Sequence, residues 1–325
     1  MKEFDTQTPP AEITAGLTAL GWLETGETVR EVSLAGEGNM NVVLRLQTDR
    51  RSLILKQSRP YVQKYPDIPA PVERIRSEYR FYREVNGAGI DDYLPTILGF
   101  DDEGCLMLME DLGQAEDMTF LYRTRKPEPG VVKSLVTALA RIHKCTLLPD
   151  YPENKELRHL NHQHIFVLPY MEDNGFSLDS VQPGLAGLAK PYTGDQELTH
   201  AIASLGERYL SRGNTLLHGD YYPGSWLQAS GRAFIIDPEF TFPGFPEFDL
   251  GVMAGHLLMA TMDPGMLPEI LKLYTAPADA PLVRQVAGTE ILRRLIGLAQ
   301  LPMERSLEEK SKLLETARKL VLDEN

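Results

Sequence analysis

The spacing of apolar positions changes character along the chain. Residues 10–23 carry Ile13, Leu17, Leu20 and Trp22 at helical intervals. Alternation follows at 32–34, 42–46 and 52–57, which predicts antiparallel strands joined by turns. A loop rich in Pro and Tyr occupies 60–71, and a helix is expected over 72–86 with Ile75, Tyr79 and Tyr82 turned to a core. Two more strands are expected at 94–100 and 105–110, the second passing through Cys105-Leu106-Met107-Leu108-Met109 without a charge. Asp111-Leu112-Gly113 then breaks the pattern. Beyond it the period is mostly helical, at 130–145, 195–211, 248–262, 267–274, 281–301 and 306–322. The reading is an α+β chain: a small antiparallel β lobe over 1–112 and a larger, mainly helical lobe over 113–325.

Composition narrows the classes. The 325 residues are 42% hydrophobic, enough for two cores. Asp and Glu outnumber Lys and Arg by 46 to 33, a formal net charge of −13 that argues against a general nucleic-acid or anionic-membrane surface. Cys105 and Cys145 form neither a metal-ligand spacing nor a redox pair and read as packed thiols of a reduced compartment. The first residues lack the apolar core of a secretory signal, and no apolar stretch approaches the roughly 18 residues of a membrane span. A cytoplasmic protein without membrane or nucleic-acid partners is expected.

The chemistry concentrates in His218-Gly219-Asp220-Tyr221-Tyr222-Pro223-Gly224-Ser225 and Asp237-Pro238-Glu239-Phe240, separated by the apolar run Ala233, Phe234, Ile235 and Ile236. Carboxylates on tight turns suit Mg2+, which keeps several waters and is completed by substrate phosphates. Asp220 is the candidate base that takes the proton of an acceptor hydroxyl as the γ-phosphoryl group leaves ATP. Asp237 and Glu239 are the candidate metal ligands: in an extended segment, residues two apart point the same way. Ser225 offers a neutral oxygen to the same site, and a solvated Asp-Pro-Glu turn is the plainer reading. His218 reads as a backbone-pinning residue, and Asp249 as a scaffold for the catalytic loop.

Upstream, Gly36-Glu37-Gly38-Asn39 sits between two strands, where Gly36, Gly38 and Asn39 let the backbone fold close over phosphates. A plain hairpin connection has the same composition. Lys56, in a strand of Leu and Ile, is placed to meet phosphates. Glu78 on the next helix is its first candidate partner and Glu73 its second; an edge-strand lysine reaching water is the alternative. Met109-Glu110-Asp111-Leu112 closes the β lobe and is the expected hinge, whose backbone N–H and C=O groups could read an adenine edge without the side chains. Leu53, Leu55, Met107 and Met109 could flank a flat base, although a core role serves each equally. In residues 281–301, Ile291, Leu292, Leu295, Ile296 and Leu298 form the buried stripe and leave Arg293 and Arg294 on the polar edge. Arginine there suits bidentate recognition of acceptor or phosphate oxygens.

Together these residues resemble the aminoglycoside phosphotransferase and choline kinase superfamily, whose fold is protein-kinase-like and two-lobed. The resemblance runs from about Gly36 to Leu301, with His218-Gly219-Asp220 and Asp237 as its specific core. It is strongest toward the methylthioribose kinases, through Gly36-Glu37-Gly38-Asn39-Met40-Asn41, Lys56-Gln57-Ser58-Arg59-Pro60-Tyr61-Val62, the catalytic loop ending at Gly224-Ser225, the Asp-x-Glu element and the arginine pair. The resemblance implies ATP and Mg2+ as cofactors, a small hydroxyl-bearing sugar as acceptor, and a homodimer. Residues 161–170 and Tyr221-Tyr222-Pro223 depart from the pattern, beside the acceptor. An aminoglycoside, choline or amino-alcohol kinase would instead seat a cation against Glu304, Glu308 and Glu309, which two nearby arginines disfavour. A catalytically silent nucleotide-binding module would normally have lost Lys56, Asp220 or Asp237.

Overall fold

The computed structural model describes residues 3–36 and 40–323. Gly38 and Asn39, both expected at the nucleotide, lie outside the described residues. Helix α1 (Pro10–Ala19) stops short of residue 23 because Gly21, at φ +72°, turns the chain into the first strand. Strands β1 (Val29–Leu34), β2 (Val42–Thr48) and β3 (Ser52–Gln57) follow, then a small hairpin of β4 (Tyr61–Val62) and β5 (Tyr65–Pro69) within the expected loop. Helix α2 (Arg74–Val85), β6 (Ile97–Asp101) and β7 (Leu106–Glu110) complete an antiparallel sheet in the order β1-β2-β3-β7-β6.

The charge-free run of β7 follows from a sheet covered on both faces. Leu106 and Leu108 join Leu53, Leu55, Ile13 and Leu17 in one core, while Met107 and Met109 join Ile75, Phe81 and Tyr82 in another. Leu53 and Leu55 therefore face away from Lys56 and cannot flank a base, because neighbouring strand residues point to opposite faces. Met107 and Met109 share the Lys56 face, paired across the ladder with Lys56 and Ile54. On α2 the buried side includes Phe81 as well as Ile75 and Tyr82, and Tyr79 is only half-buried.

The chain then runs through β8 (Ala115–Asp117), α3 (Leu121–Thr124), α4 (Pro129–His143), α5 (Lys155–His162), α6 (Leu178–Val181), α7 (Leu185–Thr193) and α8 (Gln196–Leu210). Strands β9 (Thr215–Leu217), β10 (Trp226–Ala229), β11 (Arg232–Ile235) and β12 (Phe242–Gly244) form two small sheets, β11-β10-β8 and β12-β9. Helices α9 (Glu247–Thr261), α10 (Met266–Leu273), α11 (Ala280–Ile296) and α12 (Leu307–Leu322) close the fold. α11 ends before residue 301 because Gly297 leaves the helical region. α9 and α11 are buried along nearly their whole length and pack at close range: a Cβ on Gly251 would lie 2.4 Å from Val286 Cβ, and one on Gly255 2.9 Å from the Ala287 carbonyl. No helix among the described residues is long and apolar enough to cross a membrane.

Candidate active site

β9 delivers the chain into His218-Gly219-Asp220, and Asp249 in the first turn of α9 holds it there. The His218 and Gly219 amides donate to Asp249 Oδ2 and Oδ1 at 2.7 and 3.0 Å. His143 Nε2 lies 3.1 Å from Asp249 Oδ2, and its Nδ1 lies 2.7 Å from the Tyr274 hydroxyl. The His218 ring is pinned in the loop, with Nε2 donating to the Ile236 carbonyl at 2.9 Å and Nδ1 accepting from the Asp220 amide at 3.3 Å. Those two bonds require a neutral ring, and burial keeps its pKa below the ordinary histidine value. Gly219 is at φ +87°, and a Cβ there would stand 2.2 Å from the Phe240 carbonyl, so the turn admits only glycine. Asp220 projects from it into a crevice. Burial raises its pKa to about 6, against the opposing pull of Arg294 and Arg293.

Lys56 reaches the same crevice from β3. Its ammonium donates to Glu78 Oε1 at 2.8 Å and Asp237 Oδ1 at 2.6 Å. Glu73, the second candidate, stands just before α2 with no side-chain capping bond and lies 3.7 Å from Arg76. Burial alone would discharge Lys56, but the facing carboxylates of Asp237, Glu78 and Glu239 outweigh it and keep it protonated. Burial also lifts Glu78 to about 8 and Glu239 to about 7, since several carboxylates share few cations.

The Asp-Pro-Glu segment is not extended. Asp237 sits in the left-handed region at φ +59°, and Pro238–Phe240 form a 3₁₀ turn. Glu239 reaches the crevice through that turn, not through strand alternation, and accepts from Asn41 Nδ2 at 2.9 Å. Arg74, fully buried at the start of α2, lies 3.5 Å from Glu239 and donates to Asn41 Oδ1 and to the carbonyls of Met40 and Arg59. Ser225 is buried in the 3₁₀ turn after Tyr222 and lines the same space. Among the described residues no three His, Cys, Asp or Glu side chains form a metal cage.

Arg293 and Arg294 complete the wall opposite Lys56. They are not on a polar edge, being only 5% and 8% exposed. Their terminal nitrogens lie 3.7 and 3.6 Å from Asp220 Oδ1. Glu290 accepts from both Nε atoms, at 2.5 Å for Arg293 and 2.8 Å for Arg294.

The crevice between these walls has a volume of about 670 Å³ and is lined by Lys56, Asp220, Ser225, Asp237, Glu239, Arg293 and Arg294. That size suits a small ligand with its nucleotide. Gly36 stands where an added Cβ would meet nothing within 4 Å. Met109 and Glu110 lie outside this lining. Met109 belongs to the core, and Glu110 is bound to Thr96 through its amide at 2.9 Å and its carboxylate at 2.7 Å. Glu304, Glu308 and Glu309 also lie outside the lining: Glu308 pairs with Lys312, and Glu309 caps α12 and meets Arg125.

Sequence reasoning passed over Arg74, Glu290 and His256, and named Asn41 and Tyr222 only as parts of longer motifs. Glu290 was detectable, because it precedes the two arginines by three and four residues, the spacing of neighbours on a helix. Arg74 likewise lies four residues before Glu78, on the same buried face.

Comparison with known proteins agrees with this geometry. The chain is 27% identical over 238 residues to a methylthioribose kinase of Exiguobacterium sibiricum, covering 69% of this chain and 60% of that relative. It is 24% identical over 327 residues to a methylthioribose kinase of Bacillus cereus strain G9842, covering 85% and 81%. The chain thus spans about three fifths of the length of the first of these relatives. A solved spectinomycin phosphotransferase, in complex with ADP and spectinomycin, shares the fold with a TM-score of 0.53 at 14% identity, covering 97% of this chain and 98% of its own. The profile of the phosphotransferase enzyme family matches residues 31–286, and the chain belongs to that family.

Proposed function

We propose that this chain is an ATP-dependent kinase that transfers the γ-phosphoryl group to a hydroxyl of a methylthioribose-like sugar. The observation that carries the reading is the convergence of Lys56, held from behind by Glu78, and Asp237 with Asp220, Arg293 and Arg294 on one crevice. The methylthioribose kinases it resembles along most of its length supply the acceptor class.

Lys56, fixed by Glu78, holds phosphate oxygens of ATP. Asp220 orients the acceptor hydroxyl and takes its proton as the oxygen bonds to phosphorus and ADP departs. Arg293 and Arg294 bind acceptor oxygens or the charge moving on the phosphoryl group. The donor set fits magnesium: Asp237 and Glu239 offer hard oxygens, the Asp237 carboxylate is 43% exposed to the crevice, and Ser225 adds a hydroxyl. Such an ion would supply charge neutralisation of the phosphates. In this reading the nucleotide lobe spans 1–112 and the acceptor lobe 113–325, in a cytoplasmic homodimer that sedimentation at graded concentration would detect.

Two arginines beside Asp220 disfavour an amine acceptor. Measuring ATP consumption with methylthioribose, related pentoses, choline and an aminoglycoside panel tests the assignment. Turnover with the sugar supports it. Turnover confined to the amines overturns the sugar, and ATP–magnesium binding without turnover on any acceptor overturns the enzyme.

A further inference from the structure

Adjacent residues on a helix project about 100° apart, and two neighbouring guanidinium groups repel. Arg293 and Arg294 nonetheless present their terminal nitrogens to the same oxygen of Asp220, at 3.7 and 3.6 Å. Something must gather them. Glu290 lies one turn earlier on α11, and each of its oxygens takes one Nε: Oε2 from Arg293 and Oε1 from Arg294. With the Nε edges occupied, the terminal nitrogens are left facing the crevice.

Glu290 is itself held. His256 on α9 donates from Nε2 to Glu290 Oε1 at 2.7 Å, and the Tyr122 hydroxyl meets His256 Nδ1 at 2.6 Å. All three side chains are buried. An ionised Glu290 accepts only, so His256 carries its proton on Nε2 and accepts from Tyr122 on Nδ1. Gly255 permits this approach, since a Cβ there would stand 3.3 Å from Glu290 Cβ. The second arginine has a further restraint, its guanidinium lying 4.9 Å from the centre of the Tyr222 ring, which also packs against His256.

We infer that Glu290, locked by His256 and Tyr122, is the positioning residue that aims both arginines at the reacting groups. The inference rests on the kinase reading for its kinetic consequence, but the aim of the arginines can be tested without turnover. Arginine Nε–Hε signals of ¹⁵N-labelled protein, assigned with Arg293→Lys and Arg294→Lys, should be protected from exchange in the parent protein. In Glu290→Gln, which keeps one acceptor oxygen and presents an NH2 donor in place of the other, at least one of the two should lose protection. Turnover of the same variant should fall about tenfold to a hundredfold in kcat, the loss that follows removal of a group that orients a ligand-binding side chain, while KM for ATP stays within about twofold.

Should Glu290→Gln fail to fold, His256 provides the second test. His256→Gln keeps a donor toward Glu290 and should retain kcat within about threefold, whereas His256→Leu should lose about tenfold. Unchanged Nε–Hε signals in Glu290→Gln, or equal kcat in the two His256 variants, would overturn the inference. If no acceptor is turned over by the parent protein, the kinase reading fails while the exchange measurement still decides whether Glu290 aims the pair.

Discussion

Lys56 Nζ lies 2.6 Å from Asp237 Oδ1, a contact that closes 181 residues of chain and joins the sheet to the turn after β11. The same ammonium is bonded to Glu78, so its removal strands one fully buried carboxylate and one that faces the crevice. Above about pH 8, where Glu78 is ionised, Lys56→Met is expected to cost about 3 kcal/mol, the lower end for breaking a buried pair because Asp237 is partly solvated. Denaturant unfolding measures the loss, and calorimetric titration with ATP and magnesium should show nucleotide affinity lost with it. A variant of unchanged stability would mean that the three groups are not coupled.

Asp220 supplies a prediction with a pH signature. Its carboxyl must be ionised to accept a proton, and burial raises its pKa to about 6. kcat/KM should therefore be flat above that value and fall about tenfold per pH unit below it. Asp220→Asn should lower kcat by about 10³-fold and leave ATP binding intact. Retained turnover would remove Asp220 from the role of base.

Stability should respond to pH in the opposite sense to activity. Glu78 and Glu239 are raised to about 8 and 7, so between about pH 6.5 and 8 the folded protein binds protons that the unfolded chain has released. The nucleotide-free protein then loses stability as pH rises through this window. The lowered histidines, His218 and His256 among them, act below it, where raising the pH favours the folded state. Melting temperatures across pH 6.5–8 should decline, and Glu239→Gln should shallow the slope. A flat profile in the parent protein would refute the crowding of carboxylates around Lys56.

Gly255→Ala tests the helix crossing. The new methyl would meet the Ala287 carbonyl at 2.9 Å, forcing α9 and α11 apart at a cost of about 1–3 kcal/mol. Because the His256–Glu290 bond spans that crossing, kcat should fall although no crevice side chain has changed. Full activity in a destabilised variant would separate the crossing from the arginines.

How much of this was legible in the sequence depends on how local each feature is. Strand alternation marked β2 and β3, and with it a lone lysine among aliphatic residues; the tight turns marked Asp220 and Asp237. The arginine pair was visible, but not its burial, because α11 is buried continuously over residues 286–296, among α9, α12 and their neighbours, and offers a polar residue no solvent edge there. Glu239 was placed through extended geometry, and a left-handed Asp237 brought it to the same space by another path. Arg74 and His256 find their partners only through tertiary packing. The helices over 155–193 were not anticipated, their short spans and interrupting Gly and Pro weakening any period.

The last helix bears on how this protein would be dissected. Gly288 lets α12 lie directly on α11, where an added Cβ would stand 2.4 Å from the Ala317 carbonyl. The C-terminal segment thus serves as a rear buttress for the arginines while contributing none of the groups assigned to chemistry. Trimming it would silence the protein with every reactive side chain still present, so deletion mapping would mark as catalytic a stretch whose work is mechanical support.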